Sequence, residues 1–248
     1  MSVKKNILAN YSGNLLMLLI NLLLVPLYLS HLSVEEYGLI TFFSTIFSAF
    51  VILDMGLGLT INKEVANSIA KVDSLNITGD IIRSFELVYW AMAILIGLLL
   101  SVFAEWISLS WLNVEHINSS ELIFIVSLMG LALLFRWPIS FYNNVLSGFQ
   151  KMVRLNIIKI IIGIVNFGSL YFLFNFFNLK IKGYFLFLTF LYLINIIILI
   201  ISVWRVKKLK FFKAKFDLRI LKQSKKYILG IGVYSIIGTI YVVVDKII

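Results

Sequence analysis

Seven stretches of this chain are each long and apolar enough to cross a bilayer, and nothing else in the sequence limits the fold as strongly. A helix needs about 20 mainly apolar residues to span the hydrocarbon core. Such runs lie near residues 11–30, 38–61, 87–107, 120–142, 157–177, 183–204 and 227–248. They are continuous rather than alternating, which predicts helices and argues against a β-barrel. Of the 248 residues 61% are hydrophobic and the mean hydropathy is +1.00, an excess that a water-soluble core of this size does not hide. The expected fold is all-α and integral to a membrane. Lys4 and Lys5 precede the first run, but it is too long for a signal peptide and no small-residue cleavage pattern follows, so it reads as a retained helix.

Basic residues orient such a bundle. With the N-terminus inside, the inside segments hold eighteen of the 22 Lys and Arg, ten of them between Arg205 and Lys226, while the outside loops hold only Lys180 and Lys182. The outside loops, near 31–37, 108–119 and 178–182, leave no room for a further domain there. The formal charge of +10 does not indicate nucleic acid: it is concentrated in a linker beside apolar spans, without the aromatic pattern of a reading module, and suits anionic headgroups of membrane lipids. Between Asn62 and Glu86, Val65, Ile69 and Val72 recur at helical spacing and predict a surface helix lying on the inner interface. There is no cysteine, and His31 and His116 have no partners at ligand spacing, so no metal and no cofactor are expected.

The start of the chain, KKNIL (Lys4 to Leu8), returns as KKYIL (Lys225 to Leu229). Six helices intervene, an even number, as in a parallel repeat about an axis along the membrane normal. The expected organisation is a six-helix lobe over 1–210, a basic linker over 205–226, and the first helix of a second, incomplete lobe over 227–248. The chain is expected to be a fragment or an interrupted reading frame.

Polar residues recur on single helix faces. Asn10, Asn14, Asn21 and Tyr28 share one in the first span; Arg136, Ser140, Asn143 and Ser147 share one in the fourth; Tyr227, Gly230, Tyr234, Gly238, Tyr241 and Asp245 share one in the seventh. Such faces are costly in lipid and should turn toward a bundle interior or a wet cavity, though interhelical packing alone would also account for them. Within LALLFRWPISFY (Leu131 to Tyr142), Arg136 is a full charge inside an apolar run. Counted from Gly38 and Ser120, Asp54 and Arg136 lie at one depth, about 24 Å below the outer ends, which predicts an ion pair; snorkelling of Arg136 to the inner headgroups is the alternative. Pro26 and Pro138 each remove a helix hydrogen bond and predict kinks.

Four segments, PLYLSHLSVEEYGLI (Pro26 to Ile40), LDMGLGLTINKEVA (Leu53 to Ala66), VLSGFQK (Val145 to Lys151) and VVVDKII (Val242 to Ile248), resemble motifs of the polysaccharide-biosynthesis flippases. These are the O-antigen and capsule type within the multidrug/oligosaccharidyl-lipid/polysaccharide exporter superfamily. The resemblance covers nearly the whole chain and departs at Ser33, where glycine is common. It implies two lobes around a central cavity, in the bacterial cytoplasmic (inner) membrane. It also implies movement of undecaprenyl-pyrophosphate-linked oligosaccharide to the outer leaflet by alternating access, with glycan-assembly proteins as further partners.

A diphosphate head crossing through a cavity needs cations, and arginine offers a planar fork of donors. Arg136 is the first candidate and Lys159 the second. Asn14, Asn21, Tyr234 and Tyr241 are candidates for the sugar, and Asp54 or Asp245 for a coupling ion or proton. Two alternatives stand beside the flippase: a drug–ion antiporter of the same superfamily, which would favour acidic cavity residues, and a membrane-embedded glycan polymerase or glycosyltransferase. The latter needs paired acid–base groups, and the short outside loops offer Glu35, Glu36 and Glu115 as scattered candidates without a paired constellation. No enzymatic activity is expected.

Overall fold

The computed structural model describes residues 3–70, 75–112, 114–206 and 213–244. In chain order the helices are α1 (Val3–His31), α2 (Val34–Ile69), α3 (Leu75–Val102), the short α4 (Ala104–Trp106) running into a π-helical turn (Ile107–Trp111), α5 (Ser119–Gly148), α6 (Met152–Phe177), α7 (Ile181–Trp204) and α8 (Leu218–Val244). No strand occurs among the described residues. Six helices, α1, α2, α3, α5, α6 and α7, are long and apolar enough to span a bilayer. Residues 227–244 of the seventh expected span fall within α8, whose first half carries Lys222, Lys225 and Lys226, and its last four residues lie outside the described ones.

α5 is the centre. It packs against α2, α3 and α7, and more of it is buried than of any other candidate span. α1 lies on α6, and α8 lies on α2. Lipid gives helices no hydrophobic reason to associate, so close packing at small residues has to do it. The glycines show where. A Cβ at Gly148 would stand 2.7 Å from the backbone oxygen of Asn62 and 2.9 Å from Val65 Cβ, and one at Gly58 would meet Asn144 Nδ2 at 2.6 Å. The segments LDMGLGLTINKEVA and VLSGFQK therefore pack on each other, and Asn62 Nδ2 donates to Ser147 Oγ across the same seam at 2.9 Å. Gly56 admits the backbone of α8 in the same way, and Gly163 of α6 admits Met17 of α1.

This seam corrects the expected surface helix. α2 runs unbroken for 36 residues to Ile69, about 54 Å at 1.5 Å per residue, and so projects beyond the hydrocarbon. Val65 is fully buried against α5 instead of lying on the interface, because Gly148 opens the space for it. Val72 lies outside the described residues. Pro26 and Pro138 both sit inside continuous helices.

The loops gather at two ends. At one, Ser33 caps α2 with φ −67°, and its side chain and that of Glu36 exchange hydrogen bonds with each other's backbone amides. A capping box with negative φ does not require glycine, which explains why serine serves here. Glu35 accepts from the amides of Glu115 and His116 and pairs with His116 Nδ1 at 2.7 Å. Glu36 also accepts from the amide of Ile181 at 3.3 Å. The first loop thus ties down both others at this end, where Asn178, at φ 46°, closes α6 in the left-handed conformation that asparagine tolerates. At the opposite, basic end, Asp80 accepts from the amide of Lys215, and Ser84 from that of Asp217, so this part of the linker is laid onto α3. One turn on, buried Glu86 accepts from Arg83, Tyr142 and Trp204.

Two outcomes follow from this packing. Gly148→Ala should destabilise the chain by about 1–3 kcal/mol through overpacking, whereas Gly168→Ala, with nothing within 4 Å of the added Cβ, should be neutral or slightly stabilising. Thermal unfolding in detergent decides this. The pairing with Glu35 raises the pKa of His116 above the ordinary imidazole value. The proton-dependent part of this tie is complete below the unfolded pKa of about 6.5, and is lost as pH rises through the raised folded value. Exchange protection of the Glu115 and His116 amides should fall on that upper limb, and His116→Ala should flatten it.

Candidate cationic cavity

Five helices converge on a cavity of about 400 Å³. α1 contributes Met17 and Asn21, α2 Phe47, and α5 the face carrying Arg136, Ser140 and Asn143. α6 contributes Lys159, Gly163 and Asn166, and α7 contributes Leu188, Tyr192 and Asn195. Helical periodicity explains each set. On α5 the spacing is four then three, on α6 four then three, and on α7 four then three, so each set forms one stripe over about two turns. Among the described residues, two cations line this space and no carboxylate does.

Arg136 sits over aromatic rings. Its guanidinium carbon is 3.7 Å from the centroid of Phe47 and 5.4 Å from those of Phe43 and Tyr192. Cation–π contact is worth about 2 kcal/mol when desolvated, while an unpaired buried charge costs several kcal/mol. The rings hold the guanidinium in place and the Tyr192 hydroxyl hydrogen-bonds it; the side chain is half-buried and lines the cavity. The space takes about a dozen waters at about 30 Å³ each and lies within the range of small-molecule sites. The Oδ1 of Asn166 is buried there without a hydrogen-bond partner.

The predicted Asp54–Arg136 pair is not formed. Asp54, 7% exposed, accepts hydrogen bonds from Tyr89 of α3 and Ser140 of α5. The reason is where the helices begin. α2 starts at Val34, one turn before the assumed Gly38, so Asp54 lies twenty residues along it. Ser140 lies 21 residues along α5, and Arg136 only 17. Asp54 is therefore level with Ser140, one turn deeper than Arg136.

Of the other candidates, Lys159 and Asn21 join Arg136 in the cavity. Asn14 is exposed on α1 and Tyr234 is exposed on α8; neither lines it. Tyr28, on the same predicted stripe, is buried toward the loop end against Tyr184. The side chain of Tyr241 and the whole of Asp245 lie outside the described residues. The residues not anticipated are Asn166, Tyr192 and Asn195. Their signal was present: polar groups in strongly apolar helices, Asn166 seven residues after Lys159 and on its face, and Asn195 three after Tyr192.

The family model described as "Polysaccharide biosynthesis protein" matches residues 3–248. No curated protein matches the chain. Among solved structures, a MOP superfamily transporter from Pyrococcus furiosus, described as having a binding pocket of reverse polarity, is similar with a TM-score of 0.70 at 15% identity. The match covers 94% of this chain and 52% of that one, so the chain spans about half the length of the transporter it resembles in fold.

Because Arg136 and Asp54 have separate partners, exchanging the two charges should rescue neither single substitution. Tyr89→Phe should instead cost about 1.5–3 kcal/mol, the worth of a hydrogen bond to a charged group. Unfolding of the single and double variants in detergent reads both effects.

Proposed function

The chain belongs to the polysaccharide biosynthesis protein family, and on that premise we propose that it is a lobe of a flippase for lipid-linked oligosaccharide whose cationic cavity takes the anionic head. A family membership over residues 3–248, six spanning helices and the fold of a MOP superfamily transporter make it a multi-pass membrane protein. The finer reading is that Arg136 and Lys159 bind the diphosphate of an undecaprenyl-linked repeat unit while Asn21, Asn143, Asn166 and Asn195 hydrogen-bond the groups beside it. The lipid tail stays in the bilayer, so only the polar head needs a path.

One observation carries this reading: two cations and four amides face one space that no described carboxylate enters. It favours an anionic head over the cationic drugs of an antiporter. The basic end, with its lysine-rich linker, is then cytoplasmic, consistent with the positive-inside rule. In this reading residues 1–210 form the first lobe, 205–226 its linker and 227–248 the opening helix of the second, with a seventh span in α8. O-antigen or capsule units are the proposed cargo, and the inner membrane the proposed site.

Inorganic diphosphate titrated into the purified chain in lipid nanodiscs tests the site. Wild type should bind; Arg136→Ala and Lys159→Ala should each weaken binding about tenfold or more, as loss of a charge-assisted contact implies. Unchanged affinity in both variants would remove the cavity from the account.

A further inference from the structure

We propose that Asp54 and the cationic cavity form one proton-linked anion site, in which the Ser140 hydroxyl is the shared element. The proposal rests on the anion-binding reading of the cavity and adds its regulation. Ser140 belongs to both places: its hydroxyl donates to Asp54 Oδ2, and the residue lines the cavity beside Arg136 and Asn143. Its backbone is fixed there by Asn144, whose Nδ2 donates to the Ser140 carbonyl at 3.0 Å.

A serine hydroxyl has one proton to donate and two lone pairs. While Asp54 is ionised, that proton is committed to the carboxylate. When Asp54 takes up a proton from water, Oδ1 still accepts from Tyr89, and Oδ2 becomes a donor to Ser140 Oγ. The Ser140 proton is then free to turn into the cavity and bond a bound oxyanion. One proton is taken up, no covalent bond to the ligand forms, and nothing is oxidised or reduced. Protonation also removes a negative charge from behind the cavity wall. Both effects tighten anion binding, and reciprocity then requires anion binding to draw a proton onto Asp54.

The groups around Asp54 fit this role. α3 presents Tyr89, α5 presents Ser140, and α8 approaches α2 at Gly56 through the backbone of Ile228 and Gly232. The nearby cations, Arg136 and Lys159, face the cavity, while Lys63 lies over the ring of Tyr227 at 3.6 Å. Among the described residues none of these cations forms a salt bridge with Asp54. Gly58 leaves the room that Tyr89 and Asn144 need, since a Cβ there would stand 2.6 Å from Asn144 Nδ2 and 3.4 Å from the Tyr89 hydroxyl.

The test uses sulfate, an oxyanion whose charge is constant from about pH 5.5 to about pH 8.5, unlike that of diphosphate, and the purified chain in nanodiscs. Calorimetric affinity should fall about tenfold across that range, the worth of one charge-assisted hydrogen bond. Repeating the titration in buffers of different ionisation enthalpy should show proton uptake on binding. Asp54→Asn presents Oδ1 to Tyr89 and Nδ2 to Ser140 Oγ, as the protonated acid does. It should bind tightly at every pH, without the slope. Ser140→Ala should bind about tenfold more weakly at the acid end and lose most of the slope. The proposal is overturned by wild type that binds sulfate with no proton uptake, by a full slope in Asp54→Asn or in Ser140→Ala, or by loss of the slope in Lys159→Arg, which would make the lysine the titrating group. Binding that is flat with pH overturns this proposal and leaves the anion site standing. Absence of binding at any pH, or wild-type affinity in Arg136→Ala, defeats the anion site and this proposal together.

Discussion

The carboxylate of Asp54 is the junction on which the helix bundle depends. A carboxylate 7% exposed inside a membrane helix needs donors, and two helices supply them: Tyr89 from α3 and Ser140 from α5. Those bonds fix the rotation of α5 about its axis. Once Ser140 points at α2, helical spacing directs Arg136 and Asn143 to the neighbouring face and Ser147 to Asn62. The cavity is therefore a consequence of the same stripe that holds the bundle, and the polar faces of α6 and α7 complete it.

Glycine does the rest of the positioning. α2 and α5 approach at Gly58 and Gly148, α1 and α6 at Gly13 and Gly163, and α3 and α5 at Gly97 and Gly130. At each of these positions a side chain would collide with backbone or with a packed neighbour. In lipid, where apolar residues have no reason to prefer one another over solvent, such close contacts and the hydrogen bonds beside them decide which helices are neighbours. The conspicuous segment LDMGLGLTINKEVA is thus a packing surface with one buried carboxylate, Asp54, set into it.

Much of this was legible in the residues. Continuous apolar runs placed the helices, and the i, i+4, i+7 stripe on α5 placed Arg136, Ser140 and Asn143 together. What failed did so for physical reasons. The boundary of α2 was set by hydropathy at Gly38, but the capping box at Ser33 starts the helix one turn sooner, and that turn moved Asp54 from Arg136 to Ser140. The surface helix after Asn62 was inferred from apolar spacing alone, which cannot tell a lipid interface from a neighbouring helix; Gly148, 83 residues after Val65, decides between them. Neighbour choice also hid the roles of Asn166 and Asn195. Asn195 is the single amide of α7 and Asn166 one of three on α6, and each becomes part of the cavity only when α6 and α7 are placed beside α5.

The central claim is that the space between Arg136 and Lys159 is an oxyanion site. Crystals of the chain soaked in tungstate, a heavy tetrahedral oxyanion, test it through anomalous scattering. The account predicts a peak inside the cavity, in contact with Arg136 and Lys159. Peaks confined to the lysine-rich linker, with none in the cavity, would contradict it.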